Sequence, residues 1–366
     1  MINKIKIEGY KSIKNLEIEL NPINVLIGSN GVGKSNFISF FKLINTIYEE
    51  RLENFSIVEG ADSLLHFSRK FTTEIKSYIE FNEKNGYRFK LQATNDNKLF
   101  IAEEETGFNK SKGDLSNLYG SGWAWNRISY NSRESSLKNG NKSGISGWVS
   151  HYLKTFKIYH FHDTSNNSPL RSSSDVNDNA YLKENGSNIA SYLYYLKEKE
   201  PKSFQKIERA IRSIAPFFDR FDLKPNRLNP NYISLEWIEK NQPDIYFDAK
   251  NFSDGTIRFI ALCTLLLQPN LPNTIIIDEP ELGLHPFAIN KLAGLVKKAS
   301  ASSQIIISTQ SVNLVDNFDL ENIITVDREN NQSVLKRLQS NENLTEWLNK
   351  YTLGDLWSKN VIGGRP

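Results

Sequence analysis

The chain has 366 residues, 39% of them hydrophobic, which is enough to bury the core of one large domain or two and argues against wholesale disorder. Lys plus Arg number 45 and Asp plus Glu 42, so the formal charge of +3 excludes a chain that holds a polyanion by net charge alone; any nucleic-acid site is a local patch. One cysteine, Cys263, excludes an intramolecular disulfide and a cysteine metal cluster, and points to a reducing cytoplasm.

Ile5 and Ile7 alternate with charged residues, as do Leu16, Ile18 and Leu20, which predicts two strands. Residues 23–27 are an apolar run that stops at Gly28 and read as a buried strand. A helix is expected from Lys34, with Phe37, Phe40, Phe41 and Ile44 on its inner face. Residues 75–81, 87–91 and 99–102, parted by Asn/Gly turns, predict short antiparallel strands and hence a β-rich lobe. From 109 to about 150 the composition turns to Ser, Gly and Asn around Trp123 and Trp125, which predicts an irregular insertion or lid. Helical spacing through Leu193, Leu196, Phe204, Ile207, Ile211 and Ile214 follows, with Pro201 marking a break and Pro216 a stop. Strands are then expected near 233–237 and 245–247, a helix over 253–267, a strand over 274–277, a helix near 287–299 and a strand over 304–307. That alternation is what a parallel sheet with crossover helices produces. There is no internal repeat, and no heptad run long enough for a coiled-coil arm. The longest apolar stretches, such as 257–267, fall short of the ~20 residues of a bilayer span, and the start shows no signal-peptide pattern; neither membrane insertion nor export is expected.

Gly28-Ser29-Asn30-Gly31-Val32-Gly33-Lys34-Ser35 satisfies the phosphate-loop pattern, after a predicted strand and at the opening of a predicted helix that continues with Asn36. In such a loop, glycines let backbone N–H groups turn inward around phosphates and the helix N-terminus adds positive potential; Lys34 then reaches the β/γ-phosphates and Ser35 ligates Mg²⁺ of an Mg²⁺-ATP. The plain alternative is a Gly-rich turn with an incidental lysine. The strand 274–277 runs into Asp278 and Glu279: an acid at that place holds the Mg²⁺ ion through a water, and its neighbour orients or deprotonates the attacking water. Between the two lies Phe252-Ser253-Asp254-Gly255-Thr256, where Ser253 alone reads as an N-cap.

Taken together these motifs resemble ABC-type ATPases, in which a Ser-x-Gly helix start of one subunit binds the γ-phosphate held by the other; Asp254 stands where the commoner pattern has Gly. The opening Ile7-Glu8-Gly9-Tyr10-Lys11-Ser12-Ile13 looks like the N-terminus of the SMC/RecF/OLD branch, and Asp278-Glu279-Pro280-Glu281-Leu282-Gly283-Leu284-His285-Pro286 is similar to its prokaryotic relatives. Phe161-His162-Asp163-Thr164-Ser165, Leu353-Gly354-Asp355-Leu356-Trp357 and the ending Gly363-Gly364-Arg365-Pro366 look like stand-alone bacterial predicted ATPases of about this length. The resemblance implies an α/β P-loop NTPase: an ABC-ATPase-like head with a mixed/parallel sheet core, an antiparallel β-lobe and a helical insertion. The head would be divided as 1–108, an insertion over 109–230, and 231–366. It further implies Lys11 and Ser12 near the nucleotide, His285 in the loop that crosses to the other subunit, and Gln310 of Ser308-Thr309-Gln310-Ser311 at the switch-histidine position.

Gln310 can donate to a γ-phosphate oxygen but cannot become an imidazolium, so slower turnover, or a switch in place of a motor, is expected. The implied cycle closes two heads head-to-tail over two Mg²⁺-ATP, each site using Lys34, Ser35, Asp278 and Glu279 from one chain and Ser253 and Gly255 from the other. The implied roles are DNA maintenance or anti-phage defence with a separate nuclease or effector, or else a slow nucleotide-gated scaffold for a partner protein. Gln92 is a candidate for the water-contacting glutamine. His160 and His162 invite a metal reading against one of polar packing, since alternate strand residues share a face; His66 and His151 suggest no partner. Tyr192, Tyr194 and Tyr195 either stack bases or pack their helix.

Overall fold

The computed structural model describes residues 1–112, 122–140, 144–340 and 342–365, with the side chain of Asn343 set aside. Parts of the expected 109–150 insertion (113–121 and 141–143) and the terminal Pro366 lie outside the described residues. The chain forms two compact units, one of Met1–Phe156 with Asp319–Pro366 and the other of Lys157–Phe318.

The first unit carries a six-stranded antiparallel sheet in the order Ile13–Glu19, Ile2–Tyr10, Glu74–Phe81, Asn85–Ala93, Leu99–Asn109, Trp123–Ser132. Alternation writes its inner face: along Glu74–Phe81 every second side chain, Ile75, Ser77, Ile79 and Phe81, is buried. The helix Lys34–Tyr48 buries Phe37, Phe40, Phe41 and Ile44 completely, and Phe40 meets Tyr10 edge-on and stacks on Phe89. That stripe is the one the sequence spacing predicts. The strand Ile23–Ile27, buried at every position, pairs in parallel with Ile323–Glu329, which pairs antiparallel with Gln332–Arg337.

The expectation of an irregular 109–150 is corrected by the structure. Trp123–Ser132 is a strand on the edge of the antiparallel sheet, and Gly144–Lys154 is a helix burying Val149 and Leu153. The reason lies in remote glycines: a Cβ on Gly86 or Gly107 would come within 2.7 Å of the Trp123 or Trp125 ring, so these positions must stay bare for the indoles to lie on the sheet. Arg88 then sits 4.1 Å over the Trp125 ring.

At the end of the chain, Leu353–Ser358 is a short helix whose Trp357 is fully buried and donates its indole N–H to Gly364 O. The Gly364 N–H in turn donates to both carboxylate oxygens of Asp327 at 3.0 Å. The Leu353–Trp357 and Gly-Gly-Arg motifs are thus two ends of one clasp on the strand Ile323–Glu329.

In the second unit the helices Ile189–Lys199 and Pro201–Ile214 meet at Pro201, as the spacing predicts. The expected strand over 233–237 is instead two pieces. Tyr232–Ile233 pairs with Ser174–Asp175, while Glu236–Glu239 lies between Phe218–Phe221 and Gln242–Asp248 in a small antiparallel sheet. Phe218, Phe247 and Phe252 gather round Trp237 there, and a ring cluster of that size sets the register over local strand preference. The helix Asp254–Leu267 is buried from Ile257 to its end, and Thr274–Asp278 pairs in parallel with Gln304–Thr309, the helix Pro286–Ala299 connecting them. Phe156–Tyr159, where the unit begins, follows Thr274–Asp278 in the sheet order.

Candidate nucleotide site

Each unit carries half of the chemistry that the motifs announce. In the first unit the buried strand Ile23–Ile27 ends at Gly28 and the loop runs to Gly33, whose φ of 117° caps the helix from Lys34. A Cβ at Gly33 would overlap Ser333 Oγ and stand 2.9 Å from Ser12 Oγ, so both conformation and space require glycine. The same hydroxyls brace the loop: Ser333 Oγ donates to Val32 O at 2.5 Å and lies 2.6 Å from Ser12 Oγ, and Asn36 Nδ2 donates to Ser12 Oγ at 2.7 Å.

Lys34 is buried and its ammonium donates to the carbonyls of Gly28 at 2.5 Å and Ser29 at 2.9 Å, so its charge is held at the mouth of the loop. Asn30, Gly31 and Ser35 are exposed on the same turn. Beside it, Lys11, Ser12, Gly31, Asn36, Glu59 and Arg328 line part of a cleft of about 500 Å³. Lys11 has a φ of 47°, its carbonyl lies 2.7 Å from His66 Nδ1, and burial lowers the pKa of its ammonium. The structure therefore brings the loop, Lys11 and Ser12 to one place, and gives His66 the partner that the sequence did not suggest. Gln92, by contrast, donates to Glu74 at 3.3 Å on the antiparallel sheet.

In the second unit Asp278 ends its strand opposite Ser308, whose hydroxyl donates to Asp278 Oδ1. Glu279 turns into the left-handed region at φ 42°, its N–H donating to Ser308 O at 2.9 Å, and Gln310 Nε2 donates to its carboxylate. A non-glycine residue held at positive φ costs of order 1–3 kcal/mol, which the surrounding bonds must offset. Next, Glu281 is buried and accepts from Thr309 Oγ1 at 2.5 Å and Gln310 N at 3.2 Å; burial holds its carboxyl above the usual carboxylate range. The acidic turn and the Ser308–Ser311 segment are in this way one hydrogen-bonded body.

Ser253 caps the helix Asp254–Leu267, its Oγ accepting from Thr256 N at 3.2 Å and lying 2.8 Å from Thr256 Oγ1. A Cβ on Gly255 would overlap Gly283 O, so this helix start lies directly on the loop after Glu279. Arg258, buried one turn on, donates to Phe161 O and His162 O, each at 2.9 Å, and to Leu282 O. His285 caps the helix Pro286–Ala299 through Nδ1, which accepts from Phe287 N at 3.2 Å. Ser253, Gly255, Asp278, Glu279, Gln310 and His285 are accordingly on one framework.

Sequence reasoning missed the braces of both halves, Ser333 beside the phosphate loop and Arg258 beneath the acidic turn. Their partners are backbone carbonyls and small hydroxyls far along the chain, which leave no motif.

The placement of His160 and His162 on a strand is corrected. The strand ends at Tyr159, and His162 Nε2 lies 2.7 Å from Asp278 O, so that nitrogen carries a hydrogen and faces a carbonyl. Among the described residues no group of three or more His, Cys, Asp or Glu could hold a metal ion. Tyr192 stacks on Tyr195 and gives its hydroxyl to Gln268 at 2.8 Å; burial pushes its pKa up to about 12, and it packs its helix. No helix among the described residues is long and apolar enough to cross a membrane.

A phosphate loop on a buried strand, an acid pair at another strand's end and a mixed α/β architecture define the class as P-loop NTPases of ABC type. Residues 23–316 match the family described as "AAA domain, putative AbiEii toxin, Type IV TA system". The chain belongs to that family, within the ABC-type ATPases of the SMC/RecF/OLD branch. It is 24% identical to the Old nuclease of Escherichia phage P2 over 91% of this chain, and spans 60% of that relative's length. Among solved structures it is similar to an Smc head bound to the C-winged helix domain of ScpA, with TM-score 0.59 and 17% identity over 94% of this chain and 99% of that one. A second is the Smc head domain with an extended coiled coil bound to the C-terminal domain of ScpA, derived from Pyrococcus furiosus, with TM-score 0.55 and 15% identity over 95% and 98%. At these identities the likeness establishes the fold of an ABC-type head.

Proposed function

We propose that the chain is an ATP phosphohydrolase that dimerises on Mg²⁺-ATP. Lys34 and the backbone of Gly28–Ser35 take the phosphates, with Asn36, Lys11 and Ser12 beside them. Ser35 and Asp278 offer a hydroxyl and a carboxylate, the hard oxygen donors that Mg²⁺ takes; the ion when bound neutralises charge on the β- and γ-phosphates. Glu279 acts on the attacking water, and Gln310 fixes its carboxylate. The observation that carries this reading is the acidic turn, where two adjacent acids at one strand end are each tethered by a different side chain, Asp278 by Ser308 and Glu279 by Gln310. Two carboxylates so separated can serve two roles.

Ser253 and Gly255 present an exposed helix start to the triphosphate of a second copy, so that ATP joins two heads and hydrolysis parts them. Differential affinity of the joined and parted states for triphosphate supplies the driving force. The likeness to a protein named Old nuclease supports a link to nuclease action; the same proposal sets the chain in DNA maintenance or phage defence in the cytoplasm, beside a nuclease or other effector.

The test is the solution mass of the Glu279→Gln protein with and without Mg²⁺-ATP, beside wild-type turnover. Conversion of monomer to dimer, abolished by Ser253→Arg, is the expected result; an ATP-insensitive mass would overturn it. Turnover with and without DNA then separates a DNA-directed enzyme, stimulated and salt-sensitive, from a slow nucleotide-gated scaffold. Gln310→His is expected to speed turnover, and an unchanged rate would remove Gln310 as the cause of slowness.

A further inference from the structure

The Asp254 carboxylate stands at the start of the helix that the proposed function turns toward a partner's triphosphate, a place where an uncompensated anion would repel phosphate. Its partner is Arg171, on the short turn Pro169–Arg171. The Arg171 side chain is 3% exposed, and four of its five N–H donors are used. Nε donates to Thr164 O at 2.9 Å, Nη1 to Ala249 O at 2.5 Å and Phe252 O at 2.9 Å, and Nη2 to Asp254 Oδ1 at 2.9 Å. Ala249 and Phe252 bracket the turn Ala249–Asn251 that delivers the chain to Ser253. One guanidinium thus holds the backbone entering the helix and engages the acid that follows the cap. Asp254 itself is 69% exposed, so its charge faces outward beside Ser253 and Gly255 and is balanced from beneath.

We infer that Arg171 is the positioning residue of this second half-site: it neutralises Asp254 and fixes the Ser253–Gly255 turn so that the helix start accepts the terminal phosphate of an ATP held by another copy. The inference rests on reading Ser253 and Gly255 as the trans phosphate contact. It explains how the chain carries an acid at this position and still offers an anion site, because the acid and its buried arginine form a pair with no net charge.

A double-mutant cycle in the Glu279→Gln background, read as the dimer dissociation constant in Mg²⁺-ATP by sedimentation, tests it. Arg171→Gln is expected to weaken the dimer about tenfold or more, and adding Asp254→Asn is expected to recover most of that loss, the coupling that contacting charges show. The Arg171→Gln defect should also shrink as NaCl is raised, because the uncompensated charge is exposed. A purely structural role predicts the opposite pattern: no recovery on adding Asp254→Asn, and no salt dependence. That result would overturn the inference while leaving ATP-driven dimerisation intact. If Arg171→Gln does not fold, Arg171→Lys, which keeps the charge and loses the fork, must dimerise more tightly than Arg171→Met; equal dimerisation would overturn the inference as well. If the Glu279→Gln parent itself ignores ATP, the trans reading fails first and takes this one with it.

Discussion

The phosphate loop and the acidic turn are both strand-to-helix connections that fix a charge at a strand end, and they are stiffened by different means. In the phosphate loop the backbone does the work: Gly33 occupies a conformation and a space closed to other residues, and the neighbouring hydroxyls of Ser12 and Ser333 complete a short bonded chain to Val32 O. In the acidic turn the backbone is strained at a non-glycine residue, and side chains from two segments hold it: Ser308, Thr309 and Gln310 from one side, Arg258 from another. A loop made of backbone fails sterically when changed. A loop made of side-chain bonds fails by leaving buried polar groups without partners, and its parts can be removed one at a time.

The sharpest division comes from Glu279→Gln, which keeps the shape of the acidic turn and removes the carboxylate that the proposed function sets on the attacking water. Turnover is expected to fall by about 10²–10⁴-fold, with ATP affinity retained; a steady-state ATPase assay beside nucleotide-binding titration measures both. Loss of binding in parallel with turnover would show that the turn, like the phosphate loop, acts mainly by shape. Arg258→Gln attacks the bracing in place of the chemistry. It strips charge-assisted donors from Phe161 O, His162 O and Leu282 O, and is expected to cost about 1–3 kcal/mol on chemical denaturation, the cost of leaving one buried acceptor, Phe161 O, bare. A loss below about 1 kcal/mol would mean that water replaces the guanidinium.

The matching change in the phosphate loop is Gly33→Ala, expected to cost about 1–3 kcal/mol from strain and overlap together and to weaken nucleotide binding. The companion Ser333→Gly removes the overlap with Ser333 but neither the 2.9 Å approach to Ser12 Oγ nor the positive φ, so the double variant should recover only part of the loss. Full recovery in thermal unfolding and nucleotide titration would show that overlap alone sets the requirement for glycine. Arg258→Gln has no such small-residue rescue, and that contrast follows directly from the two ways of building a turn.

The same contrast decides what could be read before the structure. The Gly28–Ser35 motif, the stripe of Phe37, Phe40, Phe41 and Ile44, and the strand running into Asp278 are local patterns whose period or spacing is itself the physical cause of the element. A phosphate-loop α/β head was legible from them, and its ABC type from the resemblance carried by Phe252–Thr256 and Asp278–Pro286. The strand Trp123–Ser132 was not, because what seats its indoles is the bareness of Gly86 and Gly107 on other strands, while its own composition is that of a loop. Trp237 likewise moved a strand boundary through rings supplied from Phe218 to Phe252. In the site, the motif residues could be named from spacing, yet the groups that hold them could not. Arg171 and Arg258 bind carbonyls, which every residue carries, and Ser333 lies 321 positions from the hydroxyl of Ser12 that it meets.

The smallest expected effect belongs to Glu281, the acid that joins the turn to Thr309 and Gln310. Burial raises its pKa in the folded protein above the ordinary 4.5, so across the window from about 4.5 up to the raised value the folded state binds more proton than the unfolded one. The contribution to stability is therefore fully present below the unfolded value and is lost as pH rises through the folded one, with a slope for one proton of at most ~1.4 kcal/mol per pH unit. Glu281→Gln keeps an oxygen to accept from Thr309 Oγ1 and Gln310 N and removes the charge, so it should leave acid stability nearly unchanged and relieve the loss toward neutral pH. Urea denaturation of both proteins from pH 4 to 8 reads this as a flatter profile for the variant. Parallel profiles would mean that Thr309 and Gln310 satisfy the ionised carboxylate fully, making the acidic turn as tolerant of charge in its interior as the phosphate loop is at its mouth.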